Sequence, residues 1–236
     1  MQQVDARVQN LVEDVFESSW SYWRDVYGDD SFAAAVYQAR HDGALAWIDS
    51  LHLPAGSRVL EIGCGAGIVT EHLSKAFPDA EVTAIDICEN PGSMCAHRSR
   101  TRFLRMTAAE LYATRPQSYD LIVISDVLHH VPESNRRELL AHAADLRSRD
   151  GVVVVKEWIR QRTPAYLMGY CSDRFITGDD VHFMSEQELG VMARDVFGAD
   201  SVRSQFRVSP WACNLVLVIA PRPRNHESTK ESSTVT

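Results

Sequence analysis

The stretch Val59-Leu60-Glu61-Ile62-Gly63-Cys64-Gly65-Ala66-Gly67 decides how this chain folds. Arg58 to Ile62 reads as a β-strand, and Ile68 to Phe77 as a helix stopped by Pro78. Between them, glycine recurs at every second position. Gly63 and Gly65 permit a tight strand-to-helix turn and leave bare backbone for a ligand, and Gly67 lets the helix start close to the sheet. Open α/β sheets bind their ligands beyond the carboxyl ends of such strands.

Working outward, strands and helices alternate. Glu81 to Ile87 reads as a second strand, followed by a short helix after Asn90-Pro91. Arg102 to Met106 is a third strand and Tyr119 to Ser125 a fourth. A helix is predicted over Glu133 to Arg147. Gly151 to Glu157, nearly all valine, is a fifth strand with both faces buried. This alternation predicts a parallel, doubly wound sheet. Ser185-Glu186-Gln187-Glu188 fits a capping box opening a helix to Phe197. Ser201 to Val208 and Trp211 to Ile219 then form two β-like runs, and the short Ser209-Pro210 link makes them antiparallel neighbours.

Before the glycine turn, Val4, Val8, Leu11, Val12, Val15 and Phe16 recur at helical spacing and run into Trp20, Tyr22, Trp23 and Tyr27. Gly28-Asp29-Asp30 breaks this helix, and Phe32 to Leu51, with Tyr37, forms another. The expected organisation is a helical cap over 1–55, a ligand-binding core over 56–220 with an insert at 158–184, and a polar, disordered tail over 221–236.

What the glycine turn binds can be narrowed from the residues. A dinucleotide fingerprint counted from Gly63 requires Gly or Ala where Ile68 stands. Glu61 would repel a pyrophosphate and favour a cation. No phosphate-binding G-x-x-x-x-G-K-[ST] run occurs. Asp86, ending the second strand, suits a carboxylate that accepts ribose hydroxyls.

The stretches VLEIGCGAG (59–67), the AID ending at Asp86, YDLIVISDVLHHVP (119–132) and RSRDGVVVVKE (147–157) together resemble the class I S-adenosylmethionine-dependent methyltransferases. The resemblance implies a Rossmann-like, doubly wound seven-stranded sheet, mostly parallel with an antiparallel last strand. It implies S-adenosylmethionine as cofactor and S-adenosylhomocysteine as product. Glu61, Gly63, Cys64, Gly65 and Gly67 would lie at the methionine end, Asp86 on the ribose and Ile87 under the adenine, with Asp126 also at the cofactor. Many relatives carry an acidic residue after the third strand for the adenine amino group. Here the place is taken by Thr107 and Ala108, and the Thr107 hydroxyl or a backbone carbonyl would serve instead.

Methyl transfer requires chiefly that donor and acceptor be aligned. A base helps only where the acceptor loses a proton. His129 and His130 follow the fourth strand at the binding edge and are the candidate bases; Glu157, ending the fifth, is expected to point into the same cleft and to orient a histidine or bind substrate. The amino-methylating motif N/D-P-P-Y/F is replaced by Asp126-Val127-Leu128. An aromatic-rich cap and insert (Trp20, Trp23, Tyr27, Tyr37, Tyr170, Arg174 and His182) suit a small aromatic or apolar acceptor.

The remaining composition agrees. Acidic residues outnumber basic ones by 32 to 24, for a net charge of −8, which argues against a nucleic-acid partner. Five scattered cysteines make neither a C-x-x-C pair nor a zinc-site spacing, so no metal is expected and a reducing compartment suits them. Neither a signal peptide nor a membrane span is read, giving a cytoplasmic protein with a small-molecule substrate, as monomer or homodimer. The alternatives are another reaction on the same cofactor, such as a cyclase, or a non-catalytic cofactor-binding partner protein.

Overall fold

The computed structural model describes residues 53–161, 163, 166, 181–207 and 213–221. The expected cap helices and tail, with Trp20, Trp23, Tyr27, Tyr37, Tyr170 and Arg174, lie outside the described residues. No helix among the described residues is long and apolar enough to cross a membrane.

The first strand, β1 (Arg58–Ile62), leads through the glycine turn into helix α1 (Ile68–Ala76). Then come β2 (Glu81–Asp86), β3 (Thr101–Arg105), α2 (Ala108–Ala113) and β4 (Tyr119–Ser125). A 3₁₀ turn at Leu128–His130 precedes α3 (Glu133–Leu146), which runs directly into β5 (Arg147–Trp158). The chain closes with α4 (Glu186–Phe197), β6 (Val202–Arg207) and β7 (Asn214–Ile219).

The seven strands form one sheet in the order β3-β2-β1-β4-β5-β7-β6. The first five are mutually parallel, and β7 runs antiparallel to both β5 and β6. The order reverses between β1 and β4, so the loops leaving these two strands diverge and open a crevice at their carboxyl ends.

Side chains alternate across a strand, and the valines of β5 show it. Val153 and Val155 join the core beneath α2, α3 and α4, together with Leu111, Leu140 and Leu189. Val154 faces the other way, into a core with Val69 and Leu73 of α1. Two cores on one sheet explain why β5 reads as a continuous apolar run.

Three local expectations change. The short helix after Asn90-Pro91 is a pair of turns, whose Gly92 and Met94 N–H groups donate to Gly65 O (2.9 Å) and Ala66 O (2.9 Å). Those bonds tie the segment to the glycine turn, and Gly92 at φ 73° interrupts any helical run. Helix α2 was not foreseen, although its capping box is written in the sequence: the Thr107 side chain accepts from Glu110 N, and the Glu110 carboxylate accepts from Thr107 N. Strand β5 begins at Arg147 rather than Gly151, with a register shift against β4 between Tyr119 and Leu121. A side chain at 151 would meet Tyr119 O at 2.8 Å, so glycine is required where the irregular start passes β4. The Ser185–Glu188 capping box has both of its bonds.

Candidate active site

A cleft of about 1090 Å³ opens over the carboxyl ends of β1, β2 and β4. Its size exceeds the usual upper range of single small-molecule pockets, leaving room for a cofactor and an acceptor together.

The glycine turn forms its floor. Gly63 has φ 78°, and a Cβ there would lie 2.3 Å from Val127 Cγ2. Val127, which lines the cleft, therefore packs on bare backbone. Gly65 has φ 48° and a Cβ there would meet nothing within 4 Å. The turn is thus closed at Gly63 and open at Gly65, the shape needed to lay a ligand along the Gly65 backbone.

Asp86 holds that shape. Its Oδ2 accepts from Gly65 N–H (2.7 Å) and its Oδ1 from Cys88 N–H (2.8 Å), so one carboxylate joins the glycine turn to the exit of β2. The Cys88 thiol also bonds this carboxylate, whose remaining lone pairs suit a hydroxyl. Ile87, beside it, is 71% exposed and forms an apolar shelf in the cleft wall.

Glu61 lines the cleft yet is 1% exposed. Burial pushes its carboxyl up to about 7, opposed by the hydrogen bond from Thr70 and reinforced by the charge of Asp86. Burial likewise drives the Cys64 thiol far above its ordinary range, with Glu61 and Asp86 adding to the effect, so this cleft-lining sulfur is inert as a nucleophile. A cation laid beside this carboxylate favours its charged form. The open cradle at Gly65, the paired-lone-pair carboxylate of Asp86 and the buried Glu61 fit a ribose-bearing cationic cofactor.

Thr107 and Ala108 line the cleft as well. Thr107 is at the same time the cap of α2: its hydroxyl donates to Glu110 Oε2 at 2.9 Å and accepts from Glu110 N–H at 3.1 Å.

Asp126 lies on the cleft wall in the left-handed region, φ 57°. Its N–H donates to Lys156 O (2.8 Å), and Lys156 Nζ donates to its Oδ2 (2.5 Å). Lys156, buried at the end of β5, was missed in the sequence; a lone lysine after four valines carries no motif.

The two histidines separate. His129 is 2% exposed, with Nδ1 2.7 Å from Glu157 Oε2 and its ring stacked on Phe183 at 4.7 Å. Glu157 is fully buried, and its other oxygen accepts from Val127 N–H (2.8 Å) and Leu128 N–H (2.6 Å). Glu157 thus orients a histidine, His129, but the expectation that it points into the cleft is corrected: neither residue lies on the cleft wall, and the carboxylate also caps the turn after β4. His130, exposed, does line the cleft, as does His182 on the segment returning from the insert. The wall also takes Asn135, Leu139 and His142 from one face of α3, which lay outside the motifs.

The methyltransferase domain family matches residues 33–196. Ubiquinone biosynthesis O-methyltransferase of Pseudomonas syringae pv. tomato (strain ATCC BAA-871 / DC3000) is 29% identical over 161 residues, covering 63% of this chain and 67% of its own. The enzyme of the same name from Aeromonas salmonicida (strain A449) is 28% identical over 214 residues, covering 82% and 86%. Among solved structures, magnesium protoporphyrin IX methyltransferase from Synechocystis PCC 6803 with bound SAM aligns over 94% of this chain and 100% of its own, at TM-score 0.57 and 21% identity. The Burkholderia thailandensis 1,6-didemethyltoxoflavin-N1-methyltransferase aligns over 93% and 92%, at TM-score 0.56 and 20% identity. With this match over most of its length, and with the glycine turn and strand order described above, the chain belongs to the methyltransferase domain family, as a class I S-adenosylmethionine-dependent methyltransferase.

Proposed function

We propose that the chain methylates a hydroxyl group of a small, aromatic or apolar molecule, with His130 taking the hydroxyl proton. The observation that carries this reading is the division between adjacent histidines: His129 is sealed against Glu157, while His130 stands exposed on the cleft wall. The relatives named as O-methyltransferases support the choice of oxygen.

S-adenosylmethionine, when bound, supplies an activated methyl carbon, and the chain's residues arrange the rest. The Gly65 backbone, Asp86 and Glu61 hold the cofactor. Ile87, Thr107, Ala108 and Asp126 complete its wall. His130 accepts the proton as the oxygen commits to the new bond, and His182, which also lines the cleft, orients the acceptor. Imidazole, titrating near 6.5, is matched to a phenol near 10 far better than to an alkyl alcohol, so a phenolic acceptor is favoured.

The rest of the acceptor wall is assigned to residues 1–55 and the 158–184 insert, with Trp20, Trp23, Tyr27, Tyr37, Tyr170 and Arg174 the candidates there. A biosynthetic role in the cytoplasm, without nucleic acid and as monomer or homodimer, belongs to the same reading and rests on composition. The test is a panel of phenols incubated with the enzyme and S-adenosylmethionine, read by mass. Methylation at oxygen with stoichiometric S-adenosylhomocysteine is expected; a methyl group on nitrogen or carbon alone would overturn the choice of acceptor.

A further inference from the structure

Arg136 sits in the first turns of α3 with only 4% of its surface exposed. Its Nε donates to Val131 O (2.9 Å) and its Nη2 to His182 O (2.6 Å). Neither acceptor is a carboxylate, and no ion pair of Arg136 occurs among the described residues. A buried guanidinium with neutral partners is an expensive way to hold two loops together, because desolvating the charge opposes folding, and an apolar side chain would pack at less cost. What the guanidinium uniquely provides is a planar fork with donors at fixed angles, which reaches two separate backbones at once.

Those two backbones carry His130 and His182 of the cleft wall. Val131 follows His130 directly, and its carbonyl fixes the exit of the 3₁₀ turn. His182 is bonded at both of its backbone groups: its N–H donates to His129 O (2.9 Å) and its carbonyl accepts from Arg136. His129 in turn is fixed by Glu157, which also caps Val127 and Leu128. The connections form a closed circuit, from the end of β5 through the turn to the returning segment, then to α3 and back to the turn. Arg136 hydrogen-bonds the backbones of both histidine-bearing segments, which the His129 ring also joins through its stack on Phe183.

We infer that Arg136 is a positioning residue that holds the adjacent segments of His130 and His182 in register on the cleft wall. The inference rests on the reading of His130 and His182 as acceptor-facing groups. It does not require that either acts as a base. Replacement by lysine conserves the charge but offers all its donors from one nitrogen on a flexible stem, without the fork whose Nε and Nη2 reach the two carbonyls separately, so even this change loosens a histidine-bearing segment.

The experiment uses the full chain with ¹⁵N-labelled histidine. The ring signals of His130 and His182 are assigned with His130→Gln and His182→Gln, and their titrations are followed by NMR in wild type, Arg136→Lys and Arg136→Gln. Calorimetry with S-adenosylhomocysteine verifies that each variant retains its cofactor floor, with affinity expected within about two-fold of wild type, since Arg136 touches none of that floor. Arg136→Gln is expected to move both titration midpoints, and Arg136→Lys at least one, in protein that still binds S-adenosylhomocysteine. A merely structural arginine would lower thermal stability and leave both midpoints in place; that result, or movement of only one midpoint in Arg136→Gln, would overturn the inference. Failure of the base reading is seen separately, as an unchanged methylation rate in His130→Gln with the Arg136 shifts intact.

Discussion

Glu157 Oε2 lies 2.7 Å from His129 Nδ1 with both side chains out of solvent, and the second Glu157 oxygen receives the N–H groups of Val127 and Leu128. The end of β5 thereby fixes the conformation of the loop leaving β4, through a carboxylate that does not itself line the cleft. Removing His129 leaves a buried carboxylate short of a partner, at a cost on the order of 3–5 kcal/mol. His129→Ala should therefore lower the unfolding midpoint by several degrees, whereas His130→Ala, on the exposed neighbour, should leave it nearly unchanged. Calorimetric melting of the two variants side by side checks this; equal midpoints would contradict the division of roles.

The rate should show the opposite order of cause. Loss of a positioned base lowers turnover by about 10²–10⁴-fold. His130→Gln is expected to fall in that range with S-adenosylhomocysteine affinity retained, and the acidic limb of the pH–rate profile should vanish with it. Single-turnover methylation across pH is the measurement.

Glu61 makes cofactor binding and stability depend on pH in opposite senses. Its folded value of about 7 lies above the ordinary 4.5 because burial disfavours the charge. Between those values the folded chain holds a proton that the unfolded chain has released. The resulting stability is fully present below about pH 4.5 and is lost as pH rises to about 7, on the order of 3 kcal/mol for the cofactor-free protein. A cation beside Glu61 favours the ionised form, so S-adenosylmethionine should bind more tightly as pH rises through 7 and should expel a proton. Titration calorimetry in buffers of different ionisation enthalpy reads that proton, and Glu61→Gln should abolish it.

The two outer faces of the glycine turn should respond differently to one methyl group. At Gly63 a Cβ lies 2.3 Å from Val127 Cγ2, so Gly63→Ala must displace Val127 and is expected to cost roughly 1–3 kcal/mol of stability. At Gly65 the added carbon meets no protein atom, so the fold loses only the backbone preference, about 1 kcal/mol, while the cradle for the cofactor is filled. Gly65→Ala should remain folded and bind S-adenosylhomocysteine at least about tenfold more weakly. Melting and calorimetry on both variants separate the effects.

Much of this was legible in the sequence because its signals are local. The glycine turn, the β5 valines and the Ser185–Glu188 box each fix their own backbone, and they predicted their elements. The β7–β6 pairing followed from a short link. The Thr107–Glu110 box was equally visible, yet α2 was missed because Thr107 was read for its chemistry and not for its helix-capping geometry. Glu157 was misplaced for a different reason. Strand alternation gives the face of a side chain, but not whether a neighbouring loop folds over that face, and here the 126–129 turn does. The partners of Lys156 and Arg136 join elements distant in sequence, and no spacing rule reports them.

The central claim is methyl transfer from S-adenosylmethionine through a cleft anchored by Asp86, whose two oxygens hold the Gly65 and Cys88 N–H groups. The most direct measurement is titration calorimetry of S-adenosylmethionine into wild type and Asp86→Ala. The account predicts saturable binding of one cofactor per chain in wild type, and a loss of about 10–100-fold or more in Asp86→Ala, the effect of removing charge-assisted hydrogen bonds. No binding to wild type, or equal affinity in the variant, would contradict it.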